Sequence, residues 1–359
     1  MSTSISQFGA YSVDVPHFVS HHAEHASGSS GPPTLSQTAN LTPRRGDQAF
    51  RSSDPSARWP EMTFAGAASF LRRPFSRNLS AAVAVVCGVP FDGATSNRPG
   101  ARLGPRAIRA ASAELGSADS FPFGGNPFAA LPTIDWGDFY LDPHRPQDVA
   151  GDIETQALDI LREGCKLLAL GGDHFVSYPL LKAHAAVHGP LALIQFDAHS
   201  DTWPDDGCRL DHGTMFLRAK NDGIVDAGHS IHVGIRSHNP ETHGFAVLTA
   251  PWIHRNGIDA AIAAITERVG KRRAYLSFDI DVLDPAYAPG TGTPVAGGLA
   301  SWQALEIVRA IGALDIVGAD IVEVSPPYDQ AEITALAAAT VGHDILCGWA
   351  AKARARRTE

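Results

Sequence analysis

The sequence predicts an α/β fold, with a central, mainly parallel sheet and helices on both faces. Short apolar runs of strand length alternate with helical patterns of about a dozen residues, the order expected of βαβ units. No internal repeat and no second core interrupts that alternation. Polar residues capable of chemistry come directly after the apolar runs, and in such sheets sites form at the carboxyl ends of strands.

Residues 1–60 stand apart. They are rich in Ser, Gly, Pro and Ala, as in Ser27-Gly28-Ser29-Ser30-Gly31-Pro32-Pro33, with little apolar periodicity. Such a segment buries too little surface to offset its ordering entropy. It is expected to be a flexible N-terminal extension, with residues 61–359 forming one compact domain. His17, His21, His22 and His25 cluster there, but no acidic or thiol ligand fixes a metal spacing, so solvated side chains are expected.

In the compact part, Ala82-Val83-Ala84-Val85-Val86 reads as a buried strand. The glycine-rich loop at 98–106 lacks both GxGxxG and GxxxxGK[ST], which argues against a phosphate cradle. Pro105 sits near the start of a helix running through Ile108 towards Leu115. Ile153, Ala157, Ile160 and Leu161 mark one face of a helix closed by Gly164. Lys166-Leu167-Leu168-Ala169-Leu170 is a strand running into Gly171-Gly172-Asp173-His174. A second helix and a strand at 191–196 lead to Asp197-Ala198-His199-Ser200-Asp201-Thr202-Trp203. Ile231 to Ile235 gives another strand, and Ile258, Ile262, Ile265 and Val269 mark a helix stopped by Gly270. Ala274-Tyr275-Leu276-Ser277-Phe278 then runs into Asp279-Ile280-Asp281. A helix around Leu305, Val308 and Ile311 precedes a strand through Ile321 and Glu323. An Ala-rich helix from Glu332 closes the chain before a basic, solvated tail from Lys352 to Arg357.

With 359 residues, 44% hydrophobic, the core can be large. A net charge of −9 argues against nucleic acid or an anionic membrane surface as partner and suits a cationic substrate. The four cysteines, Cys87, Cys165, Cys208 and Cys347, show no CxxC pattern and are expected to be reduced thiols in a cytoplasmic protein. No run approaches the ~18 apolar residues of a membrane span, and the N-terminus lacks a secretory pattern.

In an extended segment, residues i, i+2 and i+4 share one side, so Asp197, His199 and Asp201 are expected to converge. Three such groups are costly to desolvate unless a cation joins them. With His174, Asp279 and Asp281, the candidate set becomes two imidazoles and four carboxylates. It has no thiolate and is too large and too hard for one structural zinc. Mn²⁺ suits it best, with Ni²⁺, Co²⁺ or Fe²⁺ as alternatives. Six ligands can serve two ions about 3.5–4 Å apart, which share a water and lower its pKa. That is hydrolase equipment.

Gly171-Gly172-Asp173-His174, Asp197-Ala198-His199-Ser200-Asp201 and Ser277-Phe278-Asp279-Ile280-Asp281-Val282-Leu283-Asp284-Pro285 resemble the three signatures of the ureohydrolase (arginase–agmatinase) family. The resemblance covers roughly residues 65 to 350 and is nearest to the agmatinase branch. Supporting stretches are Gly88-Val89-Pro90-Phe91-Asp92, Asp211-His212-Gly213-Thr214-Met215-Phe216, Ala288-Pro289-Gly290-Thr291-Gly292-Thr293-Pro294 and the segment from Glu332 to Thr340.

The resemblance implies an arginase-like three-layer α/β/α domain with two Mn²⁺ per chain. His174, Asp197, Asp201 and Asp279 would hold one ion. Asp197, His199, Asp279 and Asp281 would hold the other, with Asp197 and Asp279 bridging. It further implies that His212 shuttles protons, that Glu323 holds the substrate's guanidinium, and that Asp201 relays a proton to the departing amine. Urea and an amine result, putrescine where agmatine is the substrate. The implied assembly is a homotrimer or homohexamer, with a hetero-oligomer with a paralogue as alternative.

Arginases carry a Ser-Gly-Asn pattern before the His-Gly pair. Here the segment reads Pro204-Asp205-Asp206-Gly207-Cys208-Arg209-Leu210-Asp211, which disfavours arginine. Guanidinobutyrate, guanidinopropionate, guanidine and biguanides such as metformin remain alternative substrates. Choice among them is expected in loops at 95–125, 203–211 and 237–246. Two other classes compete: a catalytically silent subunit of such an assembly, and a mononuclear zinc deacetylase, which leaves the Asp279–Asp281 pair unexplained.

Overall fold

The computed structural model describes residues 63–116, 120–204, 206 and 209–358. The N-terminal extension and its histidine cluster lie outside the described residues. From the first strand onward, the elements are Ala84–Val89 (β1), Gly104–Ala111 (α1), Thr133–Asp138 (β2), Val149–Arg162 (α2), Lys166–Gly171 (β3), Ser177–His188 (α3) and Ala192–Phe196 (β4). Met215–Asn221 (α4), Ile231–Ile235 (β5), Ala246–Thr249 (β6), Ala250–Asn256 (α5), Ile258–Val269 (α6), Arg273–Asp279 (β7), Ser301–Ile311 (α7), Asp315–Val322 (β8) and Ile333–Thr358 (α8) complete them.

The eight strands form one sheet in the order β2-β1-β3-β8-β7-β4-β5-β6, and every neighbouring pair runs parallel. Alternate residues serve opposite faces, as the pleat requires. Ala84, Val86, Leu168, Leu170 and Ile194 face a core shared with α1, α5, α6, α7 and α8. Val85, Cys87, Leu167, Ala169 and Leu193 face one shared with α2, α3 and α4. The sheet is therefore the middle of three layers, and its central strands read as continuous apolar runs because both faces are covered.

Two strands carry no clear signal in the sequence, and both lie at the edges. Thr133-Ile134-Asp135-Trp136-Gly137-Asp138 alternates between buried and part-exposed positions, and Ala246-Val247-Leu248-Thr249 is mostly half-buried. An edge strand needs less apolar surface than a central one. The closing helix α8 departs from the expectation in another way. By length and composition, its Ile333–Arg356 stretch is apolar enough to cross a membrane, yet 78% of that window is buried inside the molecule. It is packed as a core helix, with Ala338, Ala339, Leu346 and Trp349 buried against the sheet.

Strands β3, β8, β7 and β4 are consecutive in the sheet, so their carboxyl ends open side by side. The chain leaves β3 through Gly172, where a Cβ would stand 1.6 Å from the carbonyl oxygen of Phe91. Only glycine allows that approach, which brings the loop after β1 onto the same end of the sheet.

Candidate metal centre

All six expected ligands come from the ends of three of these strands. His174 opens a short 3₁₀ turn after β3, Asp197 follows β4, and Asp279 ends β7. The Asp279 carboxylate accepts the backbone N–H of Asp281 at 2.8 Å and so starts the turn that presents Asp281. Glu323 follows β8 directly. The convergence after β4 is not that of an extended strand. The chain bends at Ala198 and His199, and Asp201 takes a left-handed φ of 51°. Glu323 is also left-handed, at 64°. Such conformations cost energy and persist at sites where the surroundings impose them.

The His174 Nδ1 lies 3.1 Å from an Asp197 oxygen, 2.9 Å from Asp201 and 3.2 Å from Asp279, yet makes no hydrogen bond. His199 Nδ1 lies 3.4 Å from Asp197 and 3.1 Å from Asp281. The ligand atoms thus fall into two groups, His174–Asp197–Asp279 and Asp197–His199–Asp281, which share Asp197. Asp201 faces the first.

A divalent cation fits this donor set, and the hydrogen bonds behind it say which nitrogen is offered. The Ser277 hydroxyl donates to Asp320 at 2.6 Å and therefore accepts from His174 Nε2–H at 2.8 Å. Nδ1 is left to meet a cation. Charge tells the same story. Burial pulls His199 towards the neutral form, but Asp197 and Asp281 prevail and raise it to about 12. Burial and the charge of Asp197 push Asp201 up to about 6. So many buried carboxylates hold protons on their neighbours unless metal ions take that place.

Several residues that sequence reasoning passed over hold the ligands in position. Gln195 donates to Asp197 at 2.6 Å and to the His199 carbonyl at 3.1 Å. Asn239, from the third expected specificity loop, donates to Ser200 at 2.8 Å and Thr202 at 3.2 Å, bracing the metal-binding loop. Asp320 is fully buried and also accepts from Tyr275 at 2.8 Å. A buried polar side chain inside an apolar strand was the available signal for Gln195 and Asp320.

A cavity of about 340 Å³ opens above His199, Asp201 and Asp279, walled by Ser96, Trp203, Asp211, His212 and Thr293. The first two expected specificity loops supply Ser96, Trp203 and Asp211 of this wall. The third reaches the centre from behind, through Asn239. Glu323 and His212 meet as a pair: His212 Nδ1 is 2.8 Å from Glu323 Oε1. The Ser96 backbone N–H donates to His212 Nε2 at 3.1 Å, so the neutral ring carries its proton on Nδ1. Burial would lower the His212 pKa, but Glu323 raises it to about 9. Glu323 Oε1 also accepts the His174 backbone N–H at 2.8 Å, while Oε2 is buried with no partner.

The Arginase family model matches residues 82–348. Agmatinase of Chromobacterium violaceum is 51% identical over 304 residues, 84% of this chain and 94% of that protein. A crystal structure of a hypothetical agmatinase from Burkholderia thailandensis superposes with a TM-score of 0.83 at 51% identity, covering 86% of this chain and 98% of the other. The proclavaminate amidino hydrolase of Streptomyces clavuligerus gives 0.77 at 38% identity, covering 81% and 99%.

Proposed function

This chain belongs to the arginase family, and from that premise we propose that it is an agmatinase, a metal-dependent amidinohydrolase cleaving agmatine to urea and putrescine. The observation that carries the reading is Glu323 Oε2, a buried carboxylate oxygen with no partner beside an oxygen-rich metal centre. A guanidinium N–H supplies what that oxygen lacks. The pairing is charge-assisted and fixes the plane of the substrate.

Bound divalent metal supplies a Lewis acid that activates water and offsets negative charge as the guanidinium carbon is attacked. The chain's own residues do the rest. Glu323 orients the guanidinium over the centre, which replaces random encounter by a fixed approach. Asp201, which borders the cavity and faces His174 Nδ1 at 2.9 Å, takes the proton released by the attacking water and passes it to the amine nitrogen as the C–N bond breaks. His212, between Ser96 and Glu323 at the cavity wall, exchanges protons with solvent. Oxygen from water remains on carbon, and urea and the amine leave.

The oxygen-rich donors support two Mn²⁺ per chain, with Ni²⁺ or Co²⁺ as alternatives. The exposed Tyr287, Trp302, Ile333 and Leu336 support assembly into a homotrimer or homohexamer. The net charge of −9 and the match to bacterial agmatinases support a cytoplasmic enzyme acting on a small cation in polyamine formation.

Urea release tests the reading, after loading with Mn²⁺ and separately with Ni²⁺. The panel is agmatine, arginine, 4-guanidinobutyrate, 3-guanidinopropionate, guanidine and a biguanide. Agmatine should give the highest kcat/KM. Arginine as best substrate would overturn the substrate assignment. Two bound metals with no urea from any member would favour a silent subunit, and one zinc per chain a deacetylase.

A further inference from the structure

We propose that the sheet carries a second ligand site at the pole opposite the metal centre, a recess that binds a small anion with a phosphate or carboxylate head. Three neighbouring strands begin there with charged residues: β3 with Lys166, β8 with Asp315 and β7 with Arg273. The last turns of α8 add Lys352 and Arg356, one helical turn apart, and α3 ends at His188.

Three cations share one carboxylate, and a fourth stands beside them. Lys352 Nζ lies 2.8 Å from Asp315, Arg356 3.8 Å and Arg273 4.0 Å, while Lys166 turns its ammonium to the carbonyl of Ile316. The local balance is strongly positive on a chain whose net charge is −9. Like charges this close destabilise each other unless an anion is added.

The strain is visible at two groups. Lys166 is lowered to about 8, mainly by burial and then by Lys352 and Arg356, against the pull of Asp315. His188 is lowered by burial, then by Arg273 and Lys166. A cavity of about 270 Å³ lies among Lys166, His188, Arg273 and Arg356, with the shared Asp315 carboxylate also on its wall and Leu161 and Val317 on its apolar side. That volume takes a charged head carrying a short hydrocarbon body. Arg273 and Arg356 are more than half exposed, so the cationic rim is open to a ligand from solvent.

The test is equilibrium binding to the metal-loaded full chain, by calorimetry, of inorganic phosphate, butyl phosphate and butanoate. Sodium chloride of equal ionic strength is the blank. Saturable binding is expected for at least one probe. The double variant Arg273→Gln/Arg356→Gln should weaken it by about tenfold or more, the usual consequence of losing charge-assisted contacts. Arg145→Gln, at a remote exposed arginine, should leave it unchanged. Preference for the two phosphates or for butanoate identifies the head group. No saturable binding by any probe overturns the site. So does equal affinity in the double variant, which would place the anion at the metal centre or elsewhere. If the double variant fails to fold, Arg356→Gln alone carries the comparison.

Discussion

Glu323 and His212 meet at 2.8 Å through Oε1 and Nδ1, leaving the other Glu323 oxygen buried and unpaired. Oε1 is fully engaged, because the backbone N–H of His174 donates to it as well. The carboxylate is thus aimed before any substrate arrives. Glu323→Gln keeps the shape but removes the charge. It should retain metal and fold, yet lower kcat/KM for agmatine by about 100-fold or more, the scale of losing one preorganised polar contact at a reacting centre. Turnover within a factor of about three of the parent would remove Glu323 from substrate binding.

The same pair sets a titration. Glu323 holds the His212 proton up to about 9 although burial works in the opposite direction. In metal-free Glu323→Gln, the largest charge that raises His212 is gone, and burial then opposes only the weaker pull of Asp201 and Asp173. Its pKa, followed by NMR, should fall from about 9 towards the ordinary histidine value of 6.5. An unchanged titration would mean that another group, not Glu323, holds the proton.

How much of this centre the sequence disclosed follows from what each residue had to do. His174, Asp197, Asp279 and Glu323 were legible because each terminates an apolar run, and four central strands have no other reason to end in such groups. The geometry at Asp201 was not. Alternation suggested an extended chain, whereas a bend and a left-handed φ turn its carboxylate towards His174. The supporting residues were harder still. Gln195 lies close in sequence to the loop it holds but reads as one polar residue in an apolar run, whereas Asn239 and Asp320 are distant from what they hold, and only the parallel register brings Ser277 opposite Asp320. The edge strands β2 and β6 escaped notice for a different reason: half-covered strands leave a mixed pattern that resembles a loop.

Asp320 carries a prediction of its own. Through Ser277 it fixes the proton of His174 on Nε2 and keeps Nδ1 facing the carboxylates. Partners behind a metal-binding imidazole typically contribute about 10–100-fold in metal affinity. Asp320→Asn can reverse the hydrogen bond to Ser277, so it should lower metal affinity by that order while leaving the secondary structure intact. Bound metal after dialysis against a graded chelator series measures this without recourse to turnover. Affinity equal to that of the parent would reduce Asp320 to a packing role.

A last prediction concerns acid stability and a histidine outside the site. His184 is fully buried in α3, its Nδ1 2.7 Å from the carbonyl of Leu180 and its Nε2 without a partner. The ring presses on β8 where a Cβ at Gly318 would stand 2.0 Å from Nε2, so a second proton has no room and no acceptor. Its pKa is lowered to about 4, mainly by burial and then by the nearby His188 and Lys166, against the hydrogen bond to Leu180. The unfolded chain, with an ordinary histidine near 6.5, binds this proton more readily. The stability that neutral His184 contributes is therefore complete above about pH 6.5 and is lost as the pH falls towards 4. The shift corresponds to about 3 kcal/mol in all, of which about 2 is lost between pH 7 and 5. Urea unfolding of the parent and of His184→Leu at both pH values isolates this term. The parent should lose about 2 kcal/mol more than the variant over that interval. Equal losses would show that His184 accepts its proton in the folded state and that the packing against Gly318 yields to it.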